Sequence, residues 1–141
     1  MTSMVNLLLV EDDEVDVQGL KRAFAKSRIG NPITVARDGI EALEILRGEN
    51  GQAKLAKPHL ILLDLNMPRM NGLEFLEAIR ADEDLKTSVV FMITTSKAEE
   101  DKARAYEKNV AGYIVKQDPA NTFMQAVELL EHYWKIVEFP E

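Results

Sequence analysis

The stretch Leu60-Ile61-Leu62-Leu63-Asp64-Leu65-Asn66-Met67-Pro68 decides the fold of this chain. It follows Lys57-Pro58-His59, runs through four consecutive aliphatic residues, and stops at a carboxylate. A short unbroken apolar run bounded by turn residues reads as a strand buried on both faces of a parallel sheet. Four other runs share the design. Val5 to Val10 (VNLLLV) stops at Glu11-Asp12-Asp13, and Ile33 to Ala36 (ITVA) follows Asn31-Pro32. Val89 to Ile93 (VVFMI) stops at Thr94, and Tyr113 to Val115 (YIV) follows Gly112 and stops at Lys116.

Helical patterns lie between these runs. Val15, Leu20, Ala23 and Phe24 share one face of a predicted helix from about Glu14 to Ser27. Ile40, Leu43, Ile45 and Leu46 mark a second, opened by Asp38-Gly39 with Asp38 as N-cap. Leu73, Phe75, Leu76 and Ile79 mark a third, after Asn71-Gly72. A highly charged fourth runs from about Lys97 to Lys108. A fifth runs from Thr122 to about Val137, with Phe123, Val127, Leu130, Trp134 and Val137 near one stripe. Five strands alternating with five helices predict an open, doubly wound α/β sheet. Right-handed crossovers then place helices on both of its faces. Gly48 to Pro58 reads as a long polar surface loop. The expectation is one domain over residues 1–141, with its core at about 5–137 and a short tail at 138–141.

Composition narrows the chemistry. The 141 residues are 46% hydrophobic and 29% charged, enough apolar material for a core. With 24 acidic against 17 basic residues the net charge is -7, which argues against nucleic acid or an anionic membrane as partner. There is no Cys, so disulfides, thiolate metal sites and Cys nucleophiles are excluded. The two His, His59 and His132, stand far apart and suit no His-rich metal site. No segment reaches the roughly 18 uninterrupted apolar residues of a membrane span. The start, Met-Thr-Ser-Met-Val-Asn, has no basic residue and does not read as a signal peptide, so a cytoplasmic protein is expected.

In open α/β sheets, ligands bind outside the carboxyl ends of the strands. Here those ends carry Glu11, Asp12 and Asp13, then Asp64, Thr94 and Lys116. Carboxylates gathered in one pocket disfavour each other's ionisation, and a divalent cation removes that cost. Oxygen donors without Cys or His suit a hard ion, and Mg²⁺ is the expected one. An ion there would offset the charge of a phosphoryl group, with Asp64 as carboxylate nucleophile. Thr94 would donate its hydroxyl to a phosphoryl oxygen, and Lys116 would supply a point charge. Taken singly, each signal has a plainer reading. Asp13 reads as a helix cap, Asn66 as turn chemistry, and Thr95 or Ser96 as the cap of the fourth helix. Their joint placement at one sheet edge favours the functional reading. Tyr133, Trp134 and Phe139 are hard to hide on one face, and either core packing or a partner surface accounts for them.

These residues resemble the receiver domain of two-component response regulators over nearly the whole chain, from about Val5 to Val137. The resemblance rests on Leu9-Val10-Glu11-Asp12-Asp13, on Asp38-Gly39-Ile40-Glu41-Ala42-Leu43, and on Leu62 to Pro68 followed by Asn71-Gly72. It continues with Ile93-Thr94-Thr95 and Gly112-Tyr113-Ile114-Val115-Lys116. It implies a flavodoxin-like five-stranded sheet of order 2-1-3-4-5. It implies Glu11 and Asp12 as the Mg²⁺-organising acids, Asp64 as phospho-acceptor and further metal ligand, and the Asn66 backbone carbonyl as a ligand. Thr94 is the implied switch hydroxyl, Tyr113 the aromatic that reports the switch, and Lys116 the partner of acceptor and phosphate. The implied function is a phosphoprotein of signal transduction, phosphorylated by a sensor histidine kinase or within a phosphorelay. It is not a turnover enzyme: it catalyses only its own phosphotransfer and autodephosphorylation.

One departure from the family is that Gln117, not Pro, follows Lys116. The loop before the last helix is therefore expected to differ. The long loop, Tyr133-Trp134 on the last helix, and the tail through Phe139-Pro140 resemble small standalone regulators that serve bacterial phytochrome kinases. That group implies a homodimer through the last helix and tail, with no DNA-binding output domain. Two other classes stand beside this reading. One is a receiver-like module that binds without phosphorylation. The other is a Mg²⁺-dependent phosphohydrolase, disfavoured because Asn66 occupies the place of its second acid.

Overall fold

The computed structural model describes residues 4–140. Residues 1–3, part of the start read above as no signal peptide, and Glu141 of the tail lie outside them. Strands β1 (Asn6–Val10), β2 (Ile33–Ala36), β3 (His59–Leu63), β4 (Val89–Thr94) and β5 (Gly112–Val115) alternate with five helices. These are α1 (Glu14–Lys26), α2 (Gly39–Arg47), α3 (Gly72–Arg80), α4 (Glu99–Glu107) and α5 (Pro119–Ile136). All strands pair in parallel in the order β2-β1-β3-β4-β5. The reversal beside β1 puts the ligand crevice of such a sheet at the ends of β1 and β3.

Because successive strand residues face opposite ways, each continuous apolar run feeds two cores. Leu8, Val10, Ile61, Leu63, Val90 and Met92 pack with Phe75, Leu76 and Ile79 on the α2–α3 face. Leu7, Leu9, Leu60, Leu62, Phe91 and Ile93 pack with Leu20, Phe24, Phe123 and Val127 on the α1–α5 face. Each fully buried large side chain contributes about 1.5–3 kcal/mol.

Capping follows the sequence reading at two helices. Asp13 caps α1 and accepts from Val15 N at 2.9 Å, and Asp38 caps α2 through Glu41 N at 2.9 Å. Asn71 and Glu74 form a reciprocal capping box at α3. The fourth helix differs from expectation. Its N-cap is Ala98, with no side-chain cap, and neither Thr95 nor Ser96 holds that place. Ser96 instead bonds into the first turn, donating to Asp101 at 2.7 Å and accepting from Ala98 N at 3.3 Å.

Two further details correct the sequence reading, and a third bears on an alternative it left open. Val15 is 75% exposed, and Val17 takes its place on the buried face of α1. α5 begins at Pro119, whose fixed φ suits a first helical position. Tyr133, Trp134 and Phe139 pack against the α1–α5 core, so the aromatic cluster is first of all self-covered. Tyr133 meets Phe91 and Phe139 edge-on, with ring centroids 5.1 and 5.9 Å apart. The 48–58 segment is the predicted loop, carrying no helix or strand. Among the described residues the only cis peptide is Lys57–Pro58, so Lys116–Gln117 is trans.

Candidate functional site

β1 and β3 lie side by side, with Val10 opposite Leu63, so Glu11 and Asp64 leave the sheet together. Asp64 N donates to Val10 O at 3.0 Å, which ties the two ends. The loop after Asp64 turns back sharply. Gly72 N donates to Leu65 O at 2.8 Å, and a Cβ on Gly72 would collide with the Asp64 carbonyl oxygen. Glycine is the residue that permits this approach. Arg69 fastens the same loop to α2 by donating to both Asp38 oxygens, at 2.7 and 3.1 Å. Burial opposes ionisation of Asp38, but Arg69 and the Glu41 N–H outweigh it and hold the carboxyl below its usual range.

Carboxylate oxygens of Glu11, Asp12 and Asp64 lie within 4.8 Å of one another. Glu11 and Asp64 are buried, while Asp12 is exposed. Asp64 Oδ1 accepts from Leu65 N at 2.8 Å, which orients the carboxylate. Lys116 Nζ donates to Glu11 Oε1 at 2.5 Å and to Asp16 Oδ2 at 2.8 Å, and lies 3.8 Å from Asp64 Oδ2. Burial alone would lower the Lys116 pKa, yet its bonds to Asp16 and Glu11 raise it, so the side chain stays an ammonium. Burial pushes Glu11 up to about 8, and Asp64 adds to that, against the pull of Lys116. One ammonium does not balance this many carboxylates, and the donors are all oxygen. That donor set fits a hard divalent cation.

The remaining predicted residues stand at the same sheet edge. Thr94 ends β4, is fully buried, and accepts a long bond from Ser96 N at 3.4 Å. Tyr113 on β5 is half-buried, and its hydroxyl donates to Ser96 O at 3.0 Å. Thr94 and Tyr113 therefore both hold the backbone at Ser96, where α4 is about to begin. Asn66 is exposed on the β3–α3 loop. His59 is buried at the opposite end of β3, and His132 is exposed on α5.

Asp16 was not among the predicted site residues. An acidic residue in a helix's first turn is ordinarily read as a complement to the helix dipole. The available signal was its place four residues after Asp12, one turn above the acid cluster.

Comparisons with known proteins agree with this arrangement. The family model described as "Response regulator receiver domain" matches residues 7–128. The response regulator Rcp1 of a Synechocystis species is 34% identical over 128 residues, covering 91% of this chain and 87% of that protein. The crystal structure of the phosphorylated cyanobacterial phytochrome response regulator RcpA superposes with a TM-score of 0.88 at 34% identity. It is covered completely, and 99% of this chain is matched. The Mn²⁺-bound form of Rcp1 superposes with a TM-score of 0.86 at 33% identity, over 99% of this chain and 100% of that one. Sheet order, acid cluster and sequence agree, and the chain belongs to the response regulator receiver domain family.

Proposed function

We propose that this response regulator takes a phosphoryl group onto Asp64 from the phosphohistidine of a sensor histidine kinase. The observation that carries this reading is the buried cluster at the ends of β1 and β3, where Asp64 sits among Glu11, Asp12 and Lys116. An Asp64 carboxylate oxygen attacks phosphorus, the P–N bond to the histidine breaks, and its electron pair leaves on the imidazole. Glu11, Asp12, Asp64 and the Asn66 backbone carbonyl would hold Mg²⁺, which would supply positive charge against the phosphoryl oxygens. Lys116 provides a second positive charge from the β5 side. Thr94 donates its hydroxyl to a phosphoryl oxygen, which draws on its bond to Ser96. Tyr113 shares the Ser96 backbone, so movement of Thr94 biases the start of α4. The chain then catalyses only this transfer and its own slow hydrolysis, without small-molecule turnover.

Similarity to RcpA supports a kinase partner of the phytochrome type, and a cytoplasmic site of action is proposed with it. No helix among the described residues is long and apolar enough to cross a membrane. A homodimer through α5 and the tail belongs to the same reading. Its apolar contacts would come from Leu129, Ile136 and Val137, which stay exposed, rather than from Trp134. Sedimentation with and without residues 134–141 tests it, and an unchanged mass overturns it.

The phosphoryl reading is tested by intact mass after incubation with acetyl phosphate and Mg²⁺. One phosphoryl group is gained by the wild-type chain and none by Asp64→Asn. Equal gain by the two proteins would remove Asp64 from the role.

A further inference from the structure

The ammonium of Lys116 is shared unevenly among three carboxylates. It is 2.5 Å from Glu11, 2.8 Å from Asp16 and 3.8 Å from Asp64. Its side chain is 3% exposed, so solvent offers little alternative to these oxygens. Asp16 stands apart from the others. It does not belong to the triplet whose oxygens lie within 4.8 Å of one another, so its oxygen serves Lys116 rather than that cluster. Its position is also firm. α1 is capped by Asp13 directly above the site and anchored by buried Val17, Leu20 and Phe24.

We propose that Asp16 is a positioning residue that holds the Lys116 ammonium off Asp64, keeping that carboxylate open to a divalent cation and to incoming phosphorus. This inference rests on the reading of Glu11, Asp12 and Asp64 as the cation site. The physical reason is competition. An ammonium in contact with Asp64 takes up the same oxygen lone pairs and the same negative charge that a cation needs. It also quenches the carboxylate as a nucleophile. Nothing in the covalent chain keeps Lys116 from Asp64, since the gap is 3.8 Å and the side chain is long and flexible. Bonds to Glu11 and Asp16 hold it back, and of these only Asp16 lies outside the cation cluster.

The test is a double-mutant cycle read by calorimetric titration of the full chain with Mg²⁺ alone. Four proteins are compared: wild type, Asp16→Asn, Lys116→Met, and the double variant. Asp16→Asn is expected to weaken Mg²⁺ binding by about fivefold or more in the wild-type background, the scale of coupling between contacting groups. With Lys116→Met present, the same substitution changes binding little, because there is no ammonium left to restrain. Asp16→Glu keeps a carboxylate within reach and restores binding. Equal loss in both backgrounds would mean that Asp16 acts through its charge alone, and would overturn the proposal. So would unchanged binding in Asp16→Asn. Wild type that binds no Mg²⁺ would overturn the cation-site reading itself, and the first titration alone distinguishes that failure. Asp16 is partly exposed on a well-anchored helix, so the substitution leaves folding intact.

Discussion

At the N-terminal end of β3 stands His59, 5% exposed, and immediately after its C-terminal end stands Asp64, 7% exposed. The two are equally removed from water and are treated in opposite ways. Among the described residues His59 has one partner, Ser88 Oγ at 2.8 Å from Nε2, and its Nδ1 has none. Burial pushes its pKa down to about 4, so the ring is neutral at physiological pH. The surroundings are closed. Pro140 from the tail lines the small space beside His59 and Ser88, and the Tyr133–Phe139 contact lies on Phe91 in the same core face. At the other end three carboxyl groups are gathered beside one ammonium, with Asp12 open to solvent above buried Glu11 and Asp64, and burial together with Asp64 pushes Glu11 up to about 8. Where nothing is to enter, the fold keeps a buried titratable group neutral. Where a cation is to arrive, it accumulates carboxylates whose repulsion the cation relieves.

The largest effect expected from this contrast is on acid stability. The folded pKa of His59, about 4, lies below its ordinary value of 6.5. Between these values the unfolded chain binds more protons than the folded one, so stability falls as pH drops from about 6.5 to 4. At 1.36 kcal/mol per pKa unit, the loss amounts to about 3 kcal/mol. Urea melts of wild type and His59→Gln at pH 7 and at pH 4.5 measure it. The variant should lose less stability over this interval by about 2–3 kcal/mol. Parallel losses in the two proteins would show that His59 is not buried neutral, and the contrast between the two ends would collapse.

Most of the framework was legible because two signals coincide at each strand. The continuous runs, such as LILL at Leu60–Leu63, state burial on both faces, and the polar residue that stops each run marks the ligand edge. A parallel sheet brings those stop residues together without further information, which is why Glu11, Asp12 and Asp64 could be grouped from sequence. What escaped was decided by tertiary geometry. Val15 and Val17 both fit a loose helical stripe, and only the packing of α1 against α5 separates the buried from the exposed one. Asp16 looks like any first-turn acid until Lys116 arrives from β5, a hundred residues along the chain. Arg80 reads as a last-turn cation on α3. In the fold its guanidinium is bonded to the carbonyls of Lys108, Lys86, Ser88 and Asn109, at 2.7 to 3.1 Å. It thereby ties the C-terminal end of α4 to the α3–β4 connection, a role that sequence spacing does not encode.

A smaller effect sharpens the contrast at the other end of β3. Asp12→Asn removes one charge from the cluster while leaving an oxygen donor of similar size in place. Mg²⁺ binding should weaken by about tenfold or more, since even outer-shell changes at metal sites cost that much, and tenfold corresponds to about 1.4 kcal/mol. Phosphorylation by acetyl phosphate should slow at limiting Mg²⁺. The stability of the metal-free protein should not fall with it, because the carboxylate removed repels Glu11 and Asp64 and is itself exposed. Calorimetric titration and urea melts in a chelator give the two numbers independently. Loss of binding with stability held or raised is the signature of charge kept in place for a ligand. At His59 that pattern is not expected, since the ring there is engaged in packing and in its bond to Ser88. If Asp12→Asn instead destabilised the metal-free fold while leaving Mg²⁺ affinity unchanged, Asp12 would belong with the structural acids that cap α1, and the cation would have to be held without it.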